Sequence, residues 1–372
     1  MNRRQFVYAM SAAALATARP SSAKDKSPRP LRILVLGGTK FLGVHVTQLA
    51  MARGHTVSLF NRGKTNADLF PELEHLKGDR DAQLDALNGR KWDAVIDDSG
   101  YVPRHVRLSA ELLAPNVQRY LFVSTISVYA SFAKPITEDS PVGKIADESV
   151  ERVDDQSYGP LKALCEKAAE TAMPGRVAVV RPGLIVGPRD PTDRFTYWPA
   201  RAARGGEILA PGTLEDRIQF VDSRDLAAFM LHLVESETVG VFNGVSPPGM
   251  FTMGNLVAAS IAAAQHLAKP SDAPRAVWVP ADFLEKQKVQ PWGDMPVWIP
   301  ESGDDLANAE TSAARALRAG LKIRSIQETV NDTLAWHMQR PEEERAKLKS
   351  GLTPDREKAV LDAWHASTGK AH

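Results

Sequence analysis

The sequence predicts an α/β fold: a doubly wound parallel sheet with a smaller, discontinuous C-terminal lobe. The first observation is the apolar run of residues 31–36, which ends abruptly in glycines as a buried parallel strand does before a tight turn. The second is the alternation of short apolar runs with helix-length segments as far as Pro182. Beyond Pro182 this alternation becomes irregular, which indicates a second lobe assembled from separate pieces.

Each element of the first lobe follows from a local pattern. Apolar positions recur at helical spacing after residue 41 and stop at Gly54, a residue suited to the left-handed end of a helix. Further strands are predicted at residues 57–60, 73–76, 94–96, 120–123 and 177–180, with helices between them that include 106–113 and 161–172. Strands separated by helices of this length form βαβ units, so we predict a Rossmann-type sheet covered on both faces.

These patterns also set the expected domain boundaries. The Rossmann-type domain is predicted to span residues 31–190, with residues 216–244 returning to it. The substrate lobe is predicted to comprise residues 191–215 and 245–340. A linker is expected at residues 24–30. The charged tail at residues 341–372, with its spaced Leu and Ala positions, is predicted to form a surface helix pair.

Composition excludes several classes of protein. The 372 residues are 43% apolar and 24% charged, which excludes a disordered chain and a polytopic membrane protein. The 46 Lys and Arg residues nearly balance the 45 Asp and Glu residues, so a basic nucleic-acid-binding face is not expected. Cys165 is the single cysteine, and the nine histidines lack ligand spacing. No metal site is therefore predicted, and Cys165 is expected to be a small core residue.

The first 23 residues have the pattern of an export signal. Arg3 and Arg4 precede a short apolar run at residues 7–18, no acidic residue is present, and small residues at 16–18 or 21–23 offer two cleavage sites. The arginine pair resembles the twin-arginine signal, which implies export by the Tat machinery after folding in the cytoplasm. We therefore predict a periplasmic protein without stable membrane anchoring. The alternative is an uncleaved N-terminal arm.

A glycine-rich turn connects the first predicted strand to the first predicted helix. Free N–H groups and close backbone approach at such a turn can hold a pyrophosphate, so we predict a dinucleotide site. Lys40 occupies a position where this type of turn usually has glycine, which places a side chain beside the expected phosphate path. The predicted cofactor-binding residues of the turn are Gly37, Gly38, Thr39, Lys40, Phe41, Leu42 and Gly43.

The end of the second strand bears on which dinucleotide binds. An acidic residue there accepts hydrogen bonds from the ribose hydroxyls of NAD, but this sequence has Asn61 and Arg62, followed by Lys64. Two cations without a carboxylate favour the 2′-phosphate of NADP, while NAD stays compatible. Asp79, after the third strand, is a candidate acceptor for the adenine amino group, or else a turn-forming residue.

Tyr158 and Lys162 lie four residues apart on one predicted helix, so we expect the ammonium to lie beside the phenol. A neighbouring cation favours phenolate and would make Tyr158 a usable proton donor or acceptor. An amphipathic helix with an extended lysine is the plainer interpretation. The polar segment at residues 124–129 favours catalysis, because hydroxyls at the carboxyl end of a strand face the ligand crevice. Thr125 is the expected partner of the substrate oxygen, with Ser124 as the second choice.

Together these motifs resemble the extended short-chain dehydrogenase/reductase family, in its NAD-dependent epimerase/dehydratase branch. The resemblance runs from the turn at residues 37–43 through residues 124–129, Tyr158, Lys162 and the Arg181-Pro182-Gly183 segment. Lys40 makes the turn similar to an atypical GGT(K/R)FxG subgroup that includes plastid RNA-binding relatives. The resemblance implies a small C-terminal substrate lobe, and a homodimer is possible. It also implies a catalytic triad of Thr125, Tyr158 and Lys162.

The resulting functional hypothesis is an NAD(P)-dependent enzyme that oxidises a secondary alcohol of a sugar, glycoside or nucleotide-sugar through a transient ketone. Export favours a redox-neutral epimerase, which regenerates its cofactor within each turnover. One alternative is a non-catalytic dinucleotide- or RNA-binding protein on the same scaffold. The other is a simple reductase that consumes NADPH. Trp198, Trp278, Trp292 and Trp298 are expected to pack in the second lobe rather than to stack on sugar.

Overall fold

A computed structural model describes residues 29–369. Its strands are β1 (Arg32–Leu36), β2 (Thr56–Asn61), β3 (Glu74–Lys77), β4 (Trp92–Asp97), β5 (Val117–Val123), β6 (Val177–Pro182), β7 (Leu184–Val186), β8 (Glu207–Pro211), β9 (Arg217–Ile218), β10 (Phe220–Asp222), β11 (Gly240–Gly244), β12 (Phe251–Thr252) and β13 (Arg275–Val279). Its α-helices are α1 (Leu42–Ala52), α2 (Pro103–Leu113), α3 (Tyr158–Ala172), α4 (Tyr197–Ala203), α5 (Ser223–Glu235), α6 (Met253–Ala263), α7 (Ala281–Lys286), α8 (Ala314–Arg318), α9 (Ile326–Met338), α10 (Glu342–Arg345) and α11 (Pro354–Ser367). The predicted signal segment and linker fall almost wholly outside the described residues.

Seven parallel strands form the central sheet in the order β11-β6-β5-β4-β1-β2-β3. Ile33 of β1 aligns with Val57 of β2 on one side and with Ala94 of β4 on the other. Because the chain leaves β1 in one direction and returns through β4 in the other, a crevice opens between the carboxyl ends of these two strands. The predicted doubly wound sheet is confirmed, and this crevice is where its fold class binds ligands.

Helices cover both faces of the sheet. Helices α1 and α5 pack together on one face, and α2 and α3 pack together on the other. The strand residues between them are almost entirely buried, since apolar side chains of β1, β4 and β5 contact helices on both sides. This packing fixes the carboxyl ends of β1, β4 and β5, and therefore the loops that follow them.

The second lobe has its own apolar core, built around the parallel pair β8–β13 and helices α4, α6 and α9. Trp198 and Trp298 are fully buried in this core, as expected. Two boundaries of the sequence prediction need correction. Residues 314–321 return to the Rossmann-type domain, because Ala316 and Leu321 pack in its core. The tail is more than a surface helix pair, because α11 buries Val360 in the core of the lobe.

Among residues 29–369, no helix is both long enough and apolar enough to cross a bilayer.

Candidate active site

A cavity of about 620 Å³ opens at the crevice between β1 and β4. Its walls come from four segments that the sequence places at strand ends. These are the glycine turn after β1, the loop after β2, the loop after β4 and the end of β5; the loop after β3 and the first turn of α3 complete the wall. The predicted site residues that line it are Gly37, Gly38, Thr39, Lys40, Phe41, Leu42, Asn61, Arg62, Asp79, Ser124, Thr125, Tyr158 and Lys162.

The glycine turn has the shape that a pyrophosphate site needs. Gly37 and Gly38 adopt φ angles of +120° and +87°, which side chains rarely allow. A Cβ at Gly37 would lie 1.8 Å from Oδ1 of Asp98, and one at Gly43 would lie 2.2 Å from Oδ2. Helix α1 begins immediately after the turn, and Phe41 at its N-cap provides no side-chain cap. The N-terminus of α1 is therefore open to an anion, so the turn fits a dinucleotide.

Lys40 does not obstruct this turn. Its side chain is exposed and lies at the wall of the cavity, so the departure from the usual glycine adds a cation to the path of the phosphates. The neighbouring Thr39 carbonyl accepts a hydrogen bond from Asn66 Nδ2 at 2.8 Å, which fixes the turn to the loop after β2.

Asn61 lines the cavity, and its side chain also forms hydrogen bonds that support the glycine turn. Its Nδ2 donates to the Gly37 carbonyl at 3.1 Å and its Oδ1 accepts from the Gly63 N–H at 2.9 Å. Arg62 is 61% exposed, and its Nη1 lies 4.0 Å from the nearer carboxylate oxygen of Asp79. Asp79 accepts from the N–H of Asp81, so it forms the turn as well as lining the cavity. Lys40, Arg62 and Lys64 leave this end of the cavity positively charged.

Asp98, which was not predicted from the sequence, lies directly behind the glycine turn. Burial and the neighbouring Asp97 raise the pKa of its carboxyl to about 7, while a hydrogen bond from the Gly38 N–H acts in the opposite direction. The signal in the sequence was the adjacent acid pair after a buried strand, but only the fold places one of the two against the glycines. An ionised Asp98 would repel the pyrophosphate that this turn fits.

Asp98→Asn is expected to remove a pH dependence of stability. Because the pKa of Asp98 is raised by folding, the unfolded state releases this proton first, and stability is lost as pH rises from about 4 to about 7. The free energy of unfolding of the variant, relative to that of wild type, should therefore rise by on the order of 2–3 kcal/mol between pH 5 and pH 8. Urea denaturation at both pH values measures this change.

Asp93→Asn is the matched control, on β4, the strand that ends just before Asp98. Burial acts to raise the pKa of Asp93, but the Arg32 N–H and the ion pair with Arg29 outweigh it and lower the pKa, so ionisation is complete at both pH values. This control should show the same change of stability with pH as wild type. An unchanged slope in Asp98→Asn would show that Asp98 is ionised across this range.

Thr125 and Ser124 have different surroundings at the end of β5. The Thr125 hydroxyl accepts a hydrogen bond from the Ser127 N–H at 3.1 Å, donates to the Ser127 hydroxyl at 3.2 Å, and lies near enough to the Tyr158 phenol to lower its pKa. The Ser124 hydroxyl instead donates to Glu166 at 2.5 Å, and Glu166 forms an ion pair with Arg181 at 2.6 Å. The structure therefore places Thr125 beside Tyr158, while Ser124, the second choice, belongs to the buried network beneath the site.

Tyr158 is the first residue of α3, and the glycine after it sets its position. A Cβ at Gly159 would lie 2.0 Å from the backbone carbonyl oxygen of Ser127. Only glycine therefore lets α3 pack this closely on the turn after β5, which brings the Tyr158 phenol to Thr125. This role of Gly159 was not predicted from the sequence, although the residue stands next to Tyr158.

The expected effect of Lys162 on Tyr158 needs correction. The Lys162 ammonium donates to the Gly100 carbonyl at 2.7 Å and to the Val123 carbonyl at 2.5 Å, and it is 3% exposed. Burial lowers its pKa to about 8. Burial raises the pKa of Tyr158, opposed by the hydrogen bond with Thr125 and by the charge of Arg194. The phenol is thus held protonated, because the carbonyls at the ends of β4 and β5 take the ammonium that was expected to favour phenolate.

Two more side chains near Tyr158 were not predicted. The Tyr101 ring, 49% exposed, has its centroid 6.4 Å from that of Tyr158. Arg194 is near enough for its charge to lower the pKa of Tyr158. Both lie in loops, where no periodic pattern indicates which side chains converge.

A family model for the NAD dependent epimerase/dehydratase family matches residues 33–243, more than half of the chain. The chain is 27% identical over 238 residues to the chloroplast stem-loop binding protein of 41 kDa b from Arabidopsis thaliana, covering 57% of this chain and 58% of that protein. It is 28% identical over 288 residues to the epimerase family protein SDR39U1 from Mus musculus, covering 70% and 92%. It is also 30% identical over 225 residues to a 2-alkyl-3-oxoalkanoate reductase from Stenotrophomonas maltophilia, covering 54% and 64%.

Solved structures share the fold at low sequence identity. The Bordetella bronchiseptica enzyme WbmG, in complex with NAD and UDP, superposes with a TM-score of 0.60 at 19% identity, covering 83% of this chain and 94% of that one. Human SDR39U1 with NADPH superposes with a TM-score of 0.52 at 21% identity, covering 82% and 99%. These matches agree with the parallel sheet and the second lobe described above. The chain belongs to the NAD-dependent epimerase/dehydratase family, as its motifs predicted.

Proposed function

We propose that the chain is an NAD(P)-dependent oxidoreductase that interconverts a secondary alcohol and a ketone. The observation that carries this proposal is the Thr125 hydroxyl beside the Tyr158 phenol, both at the wall of a cavity lined by the glycine turn. One substrate oxygen can contact both hydroxyls there. When bound, a nicotinamide dinucleotide supplies the hydride chemistry. The family match supports this cofactor, and so do the NAD and NADPH held by the structural neighbours.

The proton chemistry follows from the surroundings of Tyr158. Burial keeps its phenol protonated at neutral pH, so Tyr158 is ready to donate a proton to a ketone oxygen. Thr125 donates a second hydrogen bond to that oxygen and orients it. In the oxidative direction Tyr158 must accept the alcohol proton, and the positive charge of Arg194 nearby stabilises the phenolate that precedes this step.

The substrate is proposed to be a sugar, glycoside or nucleotide-sugar, and the overall reaction a redox-neutral epimerisation or dehydration. The UDP held by the Bordetella neighbour supports this class. A net reductase that consumes NADPH is the second candidate, favoured by the similarity to a 2-alkyl-3-oxoalkanoate reductase. Nicotinamide absorbance distinguishes them, because only the reductase produces a net change during turnover.

A non-catalytic binding protein is a third candidate, favoured by the similarity to a chloroplast stem-loop binding protein. The paired hydroxyls of Thr125 and Tyr158 argue against it, since a binding protein has no use for a protonated phenol held beside a second donor. The formal net charge of +1 also argues against a strong attraction to RNA.

The cofactor is proposed to be NADP(H), since Lys40, Arg62 and Lys64 surround the end of the cavity beside β2. Arg62→Ala is expected to weaken NADPH binding about tenfold, because it removes a charged hydrogen-bond donor from the 2′-phosphate, and to change NADH binding little. Fluorescence titration of both dinucleotides measures this difference.

Arg90→Ala is the control, because Arg90 pairs with Glu74 on the surface away from the cavity. It should bind both dinucleotides as wild type does. If Arg62→Ala lost affinity for NADPH and for NADH equally, or if wild type preferred NADH, there would be no 2′-phosphate site at this position.

We also propose that the protein is exported. The basis is the Arg3–Arg4 segment, which lies outside the described residues. Replacing both arginines by lysine should retain the protein in the cytoplasm, as cell fractionation measures. Periplasmic accumulation of this variant would exclude a twin-arginine route.

A further inference from the structure

Arg194 lies on the loop between β7 and α4, where its charge acts on the Tyr158 phenol. Its guanidinium carbon lies 5.0 Å from the centroid of the Trp292 ring. A carboxylate lies within ion-pair distance of four arginines whose side chains are 7–13% exposed, namely Arg80, Arg181, Arg201 and Arg340. Between residues 29 and 369, Arg194 has no such partner, and its Nε donates only to the Thr192 hydroxyl at 3.1 Å.

Asp190 is the acid whose charge acts on Arg194, but its carboxylate does not come within ion-pair distance of the guanidinium. Its Oδ1 accepts from the Thr192 N–H at 2.9 Å and from the Thr192 hydroxyl at 2.7 Å. Burial raises the pKa of Asp190. In the described part of the chain, the half-buried guanidinium near the reactive phenol therefore has no carboxylate within ion-pair distance.

Residues from the C-terminal part of the chain hold the loop that carries Arg194. Asp193, whose φ of +57° is left-handed, accepts from Arg340 Nη1 at 2.8 Å and from the Lys349 N–H at 3.2 Å. The Lys349 ammonium donates to the Pro191 carbonyl, and the Ser350 hydroxyl donates to the Thr192 carbonyl, both at 2.9 Å. These contacts fix the three residues that precede Arg194, and the Thr192 hydroxyl and the Trp292 ring position its guanidinium.

We infer that Arg194 binds an oxyanion of the substrate, a carboxylate or a phosphate, while the reacting oxygen of the same molecule lies at Thr125 and Tyr158. A guanidinium pairs with either oxyanion through two parallel N–H donors. The Trp292 ring, 37% exposed, supports the guanidinium from one face. This inference rests on the proposed function and narrows it: the substrate is an acidic molecule, such as a sugar acid, a sugar phosphate or a hydroxy acid.

Calorimetric titration of the full chain saturated with NADP⁺ tests the inference without requiring turnover. The probes are glucuronate and glucose 6-phosphate, with glucose as their uncharged counterpart, and 3-hydroxyoctanoate, with its methyl ester as counterpart. At least one anion should bind about tenfold or more tightly than its counterpart. Tighter binding of glucuronate or 3-hydroxyoctanoate would indicate a carboxylate site, and tighter binding of glucose 6-phosphate would indicate a phosphate site.

Arg194→Gln should abolish this preference and leave NADP⁺ affinity unchanged. Arg189→Gln removes the same charge from an exposed position of the same loop and should keep the preference. The inference is overturned if no anion binds better than its counterpart, or if Arg194→Gln retains the preference. Failure of the proposed function looks different, since wild type itself would then bind no NADP⁺.

Discussion

Tyr158→Phe is expected to lower the rate of alcohol–ketone interconversion by about 10²–10⁴-fold, because the ring keeps its packing but loses the only proton that it can transfer. Thr125 and Tyr158 line the same cavity, so a substrate oxygen placed between them also loses one of its two donors. Dinucleotide affinity should stay within about twofold of wild type, since the glycine turn and its helix N-terminus are untouched. Single-turnover kinetics and fluorescence titration measure the two effects separately.

Tyr101→Phe is the matched control for this substitution. It removes a second phenol from the same cavity, and the two ring centroids are 6.4 Å apart. Thr125 does not act on this phenol, unlike that of Tyr158. The control should keep most of the rate. Wild-type turnover in Tyr158→Phe would exclude Tyr158 as the proton donor and favour the binding-protein alternative.

Arg80→Met is expected to destabilise the fold by about 3–5 kcal/mol, the effect of leaving a buried charge without its partner. Arg80 Nη1 pairs with Asp97 at 2.5 Å, and the Asp97 side chain is completely buried. The Tyr120 hydroxyl also donates to Asp97, at 2.6 Å, but it brings no positive charge. The lost pair lies at the end of β4, directly beneath the cavity. Urea denaturation measures the change in the free energy of unfolding.

Arg104→Met is the control, because Arg104 pairs with Asp81 and Glu151 at the surface, where solvent screens the charges. Its denaturation midpoint should stay close to that of wild type. If Arg80→Met lost no more than this control, Asp97 would have found another counter-charge or become protonated, and the ion pair would not be what stabilises this strand end.

The sequence was sufficient for the sheet and the glycine turn because both depend on local patterns. A buried parallel strand reads as a continuous apolar run, and β6 begins at Val177, the first residue of its predicted range. Tyr158 was predicted to open a helix, and α3 begins there. The carboxyl ends of β1, β4 and β5 then had to meet in one crevice, which brought Thr125 into the site.

What the sequence did not predict depends on contacts between distant segments. Helical spacing places Lys162 on the face of Tyr158, but the carbonyls of Gly100 and Val123, on two other segments, decide where the ammonium lies. The position of Arg194 depends on Asp193, which is held by residues about 150 positions further along the chain. The return of residues 314–321 to the first domain has the same cause, since burial of Ala316 shows only in three dimensions.

The central claim is that the cavity at the glycine turn holds a nicotinamide dinucleotide with its reactive ring beside Tyr158. The crystal structure of the complex with NADP⁺ tests this most directly. We predict the pyrophosphate at the N-terminus of α1, the 2′-phosphate beside Arg62, and the nicotinamide ring facing the Thr125–Tyr158 pair with Lys162 at its ribose. An empty cavity at saturating NADP⁺, or a nicotinamide ring directed away from Tyr158, would contradict this claim.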